Sequence, residues 1–254
     1  MTGEAPALPP GWRLAAFERL DSTNAEAARQ ARAGAADRTI VWSREQTGGR
    51  GRSGRPWRSP PGNLYCSLLL RPQVAPPVAA QLSFVAALAV GELAAAALPG
   101  DAAIRLKWPN DVLVGERKLS GILLEASAAA SGRLDWLIVG IGVNLRHHPE
   151  GTETPATDIV AAGGRAPDPA AALGTLVGWF DRWRRAWERG GFAPVREAWL
   201  ARAWRLGEEI RVRLDRETSF GRFAGIDSEG ALVLELPSGL QRRIAAGEVF
   251  PATA

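Results

Sequence analysis

The chain has 254 residues, of which 46% are hydrophobic and 23% charged, a composition typical of a globular protein with one large domain and room for a small module. A single cysteine excludes a disulfide framework and a multi-cysteine metal site, and two histidines argue against a His-rich metalloenzyme. The net charge of +4 arises from 31 basic and 27 acidic residues interspersed along the chain, so charge alone favours no dedicated nucleic-acid binder.

The N-terminal segment carries no recognisable targeting signal. Residues 1–11 contain several prolines but lack the cationic and then apolar stretches of a signal peptide, so we expect a disordered lead. The longest apolar run, residues 84–98, is interrupted by Glu92 and is too short to span a bilayer. The sequence therefore predicts a cytoplasmic protein without a membrane partner.

Hydrophobic periodicity and turn residues predict alternating strands and helices up to residue 206. Strands are predicted at 12–20, 39–46, 64–70, 104–108, 111–114, 119–127 and 134–144. Helices are predicted at 22–32, 79–98, 168–189 and 193–204. This order indicates an α+β domain, 1–206, in which a mixed sheet carries helices mainly on one face.

The pattern of predicted elements changes after residue 206. Four short alternating strands, separated by turn signals, are predicted at 209–214, 219–226, 231–236 and 240–245. Four or five strands in so short a segment are typical of a small SH3-like β-barrel, so we place a second domain at 207–254.

The segment 47–63 is rich in glycine, arginine and proline and shows no periodicity, which predicts a loop. Its backbone N–H groups and planar guanidinium groups suit phosphate and carboxylate ligands, and Trp57 offers a face for a flat ring such as a purine. The other candidate binding residues in this loop are Arg50, Gly51, Arg52 and Arg55. A disordered Arg/Gly segment that binds RNA is the alternative, and the strands predicted on both sides argue against it.

Lysine and asparagine are rare in this chain. Only Lys107 and Lys118 are lysines among the 31 basic residues. An ammonium and a guanidinium are not interchangeable at a tight anionic site, so lysines kept in an arginine-rich chain indicate functional positions. Lys107 closes a predicted strand and brings Asn110 and Asp111 to a sheet end, and Lys118 follows the next turn of the same sheet.

Further polar residues lie at the ends of predicted elements. Those we take as candidates are Ser22, Thr23, Asn24, Gln46 and Asn144. Thr23 and Glu26 have capping-box spacing at the start of the first helix, so helix capping is the alternative role there. Asn144 ends an apolar strand after two glycines that permit close approach of a ligand, and a strand-end cap is its alternative role.

In this order, the motifs resemble the signature series of biotin protein ligases. The matching segments are 21–24 (DSTN), 46–57 (QTGGRGRSGRPW), 62–67 (GNLYCS), 107–111 (KWPND), 117–125 (RKLSGILLE) and 140–144 (GIGVN). The resemblance spans about residues 20–145, and the predicted barrel suits the small terminal domain of that family. Since little chain precedes residue 22, the sequence resembles the monofunctional class, which lacks the N-terminal DNA-binding domain of the bifunctional members.

The resemblance implies a two-step reaction, in which biotin and ATP form biotinyl-5′-AMP and the biotinyl group then passes to one lysine of a biotin carboxyl carrier protein. The biotin contacts it implies are Ser22, Thr23, Asn24, Gln46, Arg50, Gly51, Arg52 and Lys118. The adenylate contacts it implies are Arg52, Arg55, Trp57, Asn110, Lys118 and Asn144. Arg52, Lys107, Asp111 and Lys118 are the expected catalytic residues, with Asp111 also expected to hold Mg²⁺.

Two other functions compete with this interpretation. A lipoate or octanoate ligase has a similar fold and also acylates a lysine. The segment 47–63, which we call the arginine loop, and the KWPND segment favour biotin instead. An Arg/Gly-loop module that binds nucleic acid belongs to a different class and predicts steeply salt-dependent binding. We expect that the protein has no DNA partner and that it is a monomer or a homodimer.

Overall fold

The hydrophobic runs of the first half of the chain form a seven-stranded mixed sheet. In the computed structural model, which describes residues 5–128 and 133–252, its strands are β1 (Arg13–Leu20), β2 (Thr39–Gln46), β3 (Leu64–Leu70), β4 (Ile104–Lys107), β5 (Asp111–Val114), β6 (Arg117–Ala128) and β7 (Leu134–Val143). Their spatial order is β1-β2-β3-β7-β6-β5-β4. Only β1 and β2 pair in parallel, and the other neighbours are antiparallel.

The helices cover the two faces of this sheet unequally. They are α1 (Thr23–Arg32), α2 (Pro76–Ala79), α3 (Leu82–Ala97), α4 (Pro169–Gly190) and α5 (Ala193–Leu200). Side chains alternate across a strand, so Val41 and its neighbours Ile40 and Trp42 face opposite ways. Val41 packs with α1 in a small core, whereas Ile40 and Trp42 belong to the main core that holds α3 to α5. The expected arrangement, helices mainly on one face, is confirmed.

Helix α3 forms the centre of the main core. It packs against β4 to β7 and against α4. The stretch Pro76–Ala97 is long and apolar enough to cross a membrane by length and composition, but 78% of its most apolar window is buried inside the protein. Its apolar surface is therefore covered by the sheet and by α4.

The C-terminal segment forms a second, antiparallel sheet of five strands. These are β8 (Glu209–Arg213), β9 (Thr218–Ile226), β10 (Leu232–Glu235), β11 (Gln241–Ile244) and β12 (Glu248–Pro251), in the order β11-β10-β9-β8-β12. Four of them match predicted strands, and β12 is the fifth. Ile210, Phe223 and Leu234 from this sheet belong to the same buried cluster as α3, so the two sheets share one core.

Three sequence-based predictions differ from the structure. The helix predicted at 193–204 ends at Leu200, because the next residues pair with the edge strand β4. The N–H of Leu106 donates to the carbonyl of Arg202, and the carbonyl of Leu106 accepts from the N–H of Trp204. The helix predicted at 79–98 begins at Leu82, and the short helix α2 precedes it. The capping box is wrong, since Ser22 is the N-cap of α1 and accepts from the backbone N–H of Ala25.

The N-terminal lead is described from residue 5 onward. Residues 5–11 form no helix or strand, and Leu8 packs against the main core. The remainder of the predicted disordered lead lies outside the described residues.

Candidate functional site

A cavity of about 420 Å³ opens where the ends of β2, β6 and β7 meet the C-terminal sheet. Every candidate residue predicted from the sequence lines it: Ser22, Thr23, Asn24, Gln46, Arg50, Gly51, Arg52, Arg55, Trp57, Lys107, Asn110, Asp111, Lys118 and Asn144. Folding thus brings residues from α1, the 47–63 loop and four strands of the large sheet into one space.

The inner end of the cavity is a network of uncharged polar groups, most of them buried. The backbone N–H and the hydroxyl of Thr23 donate to Oε1 of Gln46 at 2.8 and 3.1 Å. The hydroxyl oxygen of Ser67, on β3, lies 2.8 Å from that of Thr23. Gln46 in turn donates from Nε2 to the Ser59 hydroxyl at 2.9 Å. These contacts hold the start of α1 against the ends of β2 and β3.

Asn24 extends this network towards β6. Its Nδ2 donates to Oε2 of Glu125 at 2.6 Å, and its Oδ1 lies 2.6 Å from the Ser67 hydroxyl. Gly140 lies directly beneath this amide, because a Cβ at that position would lie 2.1 Å from Oδ1 of Asn24. The absence of a side chain at residue 140 is therefore what allows Asn24 to reach Glu125.

Trp57 lies over two further glycines of the sheet. A Cβ at Gly142 would lie 2.6 Å from the indole, and one at Gly121 would lie 3.2 Å from it. The ammonium of Lys118 lies 5.5 Å from the centroid of the Trp57 ring, within the range of a cation–π contact. The indole N–H is buried without a hydrogen-bond partner among the described residues. Gly121 and Gly142 thus form a flat surface, which we call the glycine floor, and the Trp57 ring lies on it beside the Lys118 ammonium.

Two lysines carry positive charge at the middle of the cavity. Nζ of Lys118 lies 2.7 Å from Oδ1 of Asp111 across the β5–β6 pair. Nζ of Lys107 lies 3.3 Å from the Thr154 hydroxyl and 5.1 Å from the centroid of the Phe250 ring. Lys107 is only 7% exposed, and burial lowers the pKa of its amine from the ordinary value, against the opposing effect of Asp111. An anion entering the cavity would stabilise both ammonium groups.

The arginine loop contacts the C-terminal sheet. Arg52 donates from Nη1 to the carbonyl of Gly247 at 3.2 Å and to Oδ1 of Asn110 at 3.4 Å. Arg55 forms an ion pair with Glu248 at the start of β12. The backbone N–H of Gly51 donates to the carbonyl of Arg55 at 2.7 Å, which closes a tight turn in the loop. Arg52 and Arg55 therefore line the cavity from a loop that hydrogen bonds and an ion pair hold in place.

Asparagine side chains fix the backbone on the far wall. Nδ2 of Asn144 donates to the carbonyl of Thr157 at 3.0 Å. Oδ1 of Asn63, which is 1% exposed, accepts the backbone N–H groups of residues 145, 146 and 147. Asn110 donates to the carbonyl of Ile122 at 2.7 Å. Each of these amides satisfies backbone groups around the cavity, so the rare asparagines serve the shape of the site as well as any ligand.

Several lining residues were not predicted from the sequence. They are Glu150, Thr152, Glu153, Thr154 and Ala156 from the loop after β7, and Glu248, Val249 and Phe250 from β12. Acidic and small residues at these positions carry no distinguishing pattern in the sequence. The loop residues reach the cavity because the loop pairs with Lys118 on β6, and the β12 residues reach it because the second sheet docks there.

Comparison with known proteins gives the family. The model described as "Biotin/lipoate A/B protein ligase family" matches residues 16–144, and the model described as "Biotin protein ligase C terminal domain" matches residues 206–250. The biotin–acetyl-CoA-carboxylase ligase of Paracoccus denitrificans is 47% identical over 237 residues, covering 91% of this chain and 98% of that protein. The bifunctional ligase/repressor BirA of Bacillus subtilis is 34% identical over 239 residues, covering 91% of this chain and 72% of that protein.

A solved structure agrees with these sequence relatives. The Aquifex aeolicus biotin protein ligase, in complex with biotin and ATP, superposes with a TM-score of 0.78 at 29% identity, covering 94% of this chain and 97% of that one. The fold, the order of the motifs and both family models agree: the chain belongs to the biotin protein ligase family.

Proposed function

We propose that this protein forms biotinyl-5′-AMP from biotin and ATP and transfers the biotinyl group to a lysine of a biotin carboxyl carrier protein. One observation carries the proposal: a single cavity joins a buried network of uncharged donors and acceptors to the cations Arg52, Lys107 and Lys118. The uncharged end suits a neutral polar ring, and the cationic end suits carboxylate and phosphate. The relatives named for biotin ligation support the same reaction.

In the first step, a biotin carboxylate oxygen attacks the α-phosphorus of ATP, and the bond from that phosphorus to the pyrophosphate oxygen breaks. Two anions must approach each other, so preorganised cations offset their repulsion and stabilise the charge of the transition state. We assign this task to Arg52 and Lys118, with Arg55 and Lys107 nearer the leaving pyrophosphate. Removing one such donor typically raises the activation free energy by ~3 kcal/mol.

The position of each residue on the cavity wall supports the ligand contacts that the family resemblance implies. We assign biotin to Ser22, Thr23, Asn24, Gln46, Arg50, Gly51, Arg52 and Lys118. We assign the adenylate to Arg52, Arg55, Trp57, Asn110, Lys118 and Asn144. Trp57 offers its ring to a flat partner, and the partly buried Thr23–Gln46 pair offers fixed polar atoms to the biotin ring.

Magnesium enters as the complex with ATP. Within residues 5–128 and 133–252, no three His, Cys, Asp or Glu residues are grouped as a metal cage. The carboxylate of Asp111 fits Mg²⁺ as one ligand, since this ion is commonly held by one or two carboxylates together with substrate phosphates. When bound, the ion neutralises phosphate charge, while Lys118 already balances the Asp111 carboxylate.

In the second step, the neutral amine of the carrier lysine attacks the acyl carbon, the acyl–phosphate bond breaks and AMP leaves. The mixed anhydride reacts with water, so the arginine loop must exclude water until the amine arrives. Lys107, whose pKa is lowered by burial, lies where it can orient the amine or hold phosphate oxygens.

The domain division and cellular setting complete the proposal. We divide the chain into a catalytic domain, 1–206, and a C-terminal SH3-like domain, 207–254, which the two family models support. Because ATP is a substrate, we place the protein in the cytoplasm. We also propose that it is a monomer or a homodimer and that it has no DNA or membrane partner.

Mass spectrometry of a carrier domain incubated with this protein, biotin and Mg·ATP tests the proposal. We expect one biotinyl group on one lysine, and no product when that lysine is replaced by arginine. Lipoate in place of biotin is the matched control for the rival ligase. Transfer of lipoate but not biotin, or no acylation at all, would contradict the proposed substrate or the proposed reaction.

A further inference from the structure

Four charged side chains from four separate segments form a continuous chain of ion pairs beside the cavity. They alternate in sign: Arg55 from the arginine loop, Glu248 from β12, Arg213 from β8 and Glu153 from the loop after β7. We call this set the ion-pair strap. It connects both loops that border the cavity to the C-terminal sheet.

Glu248 is the centre of the strap. Its Oε1 pairs with Arg55 and its Oε2 with Arg213, so each carboxylate oxygen serves one guanidinium. Arg213 continues the strap through two hydrogen bonds to Glu153, at 2.6 and 2.9 Å. The neighbouring residue, Gly247, accepts from Arg52 at 3.2 Å. The start of β12 therefore holds both arginines that we assign to the adenylate.

The environment of Glu248 distinguishes this strap from ordinary surface ion pairs. Glu248 is 20% exposed, whereas Glu217, which pairs with Arg242 in the same sheet, is 54% exposed. Partial burial acts to raise the pKa of the Glu248 carboxyl, but hydrogen bonds from Arg55 and Arg213 outweigh it, and the pKa lies below its ordinary value. A partly buried carboxylate shared by two guanidinium groups is a stronger link than an isolated exposed pair.

We propose that Glu248 is a positioning residue, which holds the arginine loop closed over the acyl-adenylate through the ion-pair strap and so retains the intermediate until the carrier lysine arrives. This inference rests on the proposed function. Within the part of the chain that the structure describes, the other polar contact between the loop and the C-terminal segment is that of Arg52 with the carbonyl of Gly247. The strap gives the C-terminal sheet a role in retention, although no candidate residue was predicted there.

Tryptic cleavage of the arginine loop tests the strap without any ligand. In Glu248→Gln, we expect cleavage in the segment 50–58 to be about five- to tenfold faster than in the wild type, the factor given by ~1 to 1.4 kcal/mol. High salt should accelerate cleavage of the wild type but not of this variant, because salt screens exposed charges. Glu235→Gln is the matched control: Glu235 pairs with Arg222 in the same sheet and does not line the cavity.

Release of biotinyl-AMP into solution, with biotin and Mg·ATP but no carrier, tests retention. We expect Glu248→Gln to release it about five- to tenfold faster than the wild type, and Glu235→Gln to match the wild type. Because Glu248 itself lines the cavity, Arg213→Gln is the second variant. Arg213 is not among the lining residues; besides the strap, its guanidinium lies 4.6 Å from the centroid of the Phe250 ring, which does line the cavity.

The two assays separate the possible failures. Unchanged cleavage in both strap variants would overturn the strap, whatever the wild type catalyses. Faster cleavage with unchanged release of biotinyl-AMP would overturn the role in retention. If the wild type formed no biotinyl-AMP, the proposed function and the retention role would both fail, and the cleavage assay would still decide whether the strap holds the loop.

Discussion

The two ends of the cavity are built differently. The inner end is mostly buried and almost uncharged, and the buried Thr23, Asn24 and Ser67 and the half-buried Gln46 hold one another through short hydrogen bonds. The outer end consists of partly exposed charges on loops and on β12, such as Arg55, with a side chain that is 54% exposed. One end has a fixed geometry, and the other has charge and the freedom to open.

This difference follows from the energetics of burial. Leaving a buried donor or acceptor without its partner costs ~1–3 kcal/mol, so the inner network is held to one arrangement. An exposed ion pair contributes ~0–1 kcal/mol and is screened by salt, so the outer end can be broken and remade during turnover. The rigid inner end suits the selection of a substrate ring. The outer end, which can open, suits the entry of ATP and of a carrier lysine.

The largest expected effect lies at the inner end. Gly140→Ala would place a methyl group 2.1 Å from Oδ1 of Asn24, which is held by Ser67 and Glu125 and cannot move without losing them. We expect a loss of ~1–3 kcal/mol in the free energy of unfolding, as for other overpacked sites, and loss of the stabilisation that biotin gives the wild type. Thermal unfolding with and without biotin measures both.

Gly178→Ala, in α4, is the control for that substitution. A Cβ there meets nothing within 4 Å, so helix propensity alone predicts a small gain in stability. Equal unfolding and equal biotin response in Gly140→Ala and the wild type would show that the inner network is not rigid.

A second prediction concerns the boundary between the two ends. Lys118→Arg keeps the charge, but the bulkier guanidinium must fit between Trp57, Asp111 and the glycine floor, where Nζ lies 3.3 Å from the Cβ position of Gly121. We expect pyrophosphate release from biotin and ATP to fall by about 10²-fold, the loss typical of one misplaced electrostatic donor. Arg105→Lys, an exposed change on β4, should leave the rate unchanged. A near-normal rate for Lys118→Arg would show that charge alone is required.

The smallest effect is expected at an exposed pair beside the inner end. Arg29 donates to both carboxylate oxygens of Asp21 and, with the N–H of Ser22, lowers the pKa of Asp21 from 3.8 to about 2. A lowered folded-state pKa contributes stability that is full above about pH 4 and is lost as the pH falls towards 2. The side chain is 56% exposed, so the contribution is below ~1 kcal/mol.

Urea unfolding of the wild type and of Asp21→Asn between pH 2 and 5 measures this contribution. The wild type should lose more stability on acidification than the variant. If the difference exceeded that caused by Gly140→Ala, exposure would not be what separates the two ends.

Local pattern was sufficient for much of the fold. The predicted limits of β2, β3 and β5 agree with the structure, because buried β-rich runs bounded by turn residues leave little choice. The end of α5 was missed because residues 202–204 pair with β4, about a hundred positions earlier in the chain. The capping box predicted for Thr23 was wrong, since its hydroxyl contacts Gln46 and Ser67 instead.

The sequence by itself determined the family, eleven of the twelve strands and a set of fourteen residues that meet at the cavity, because each motif is local and their order is distinctive. The tertiary structure alone decided which groups bond to one another. Arg55 and Glu248 lie 193 positions apart, and nothing local to either one predicts the pair. Asn24 reaches Glu125 only because Gly140 leaves the space open. Such contacts depend on how the two sheets share one core, which no local pattern contains.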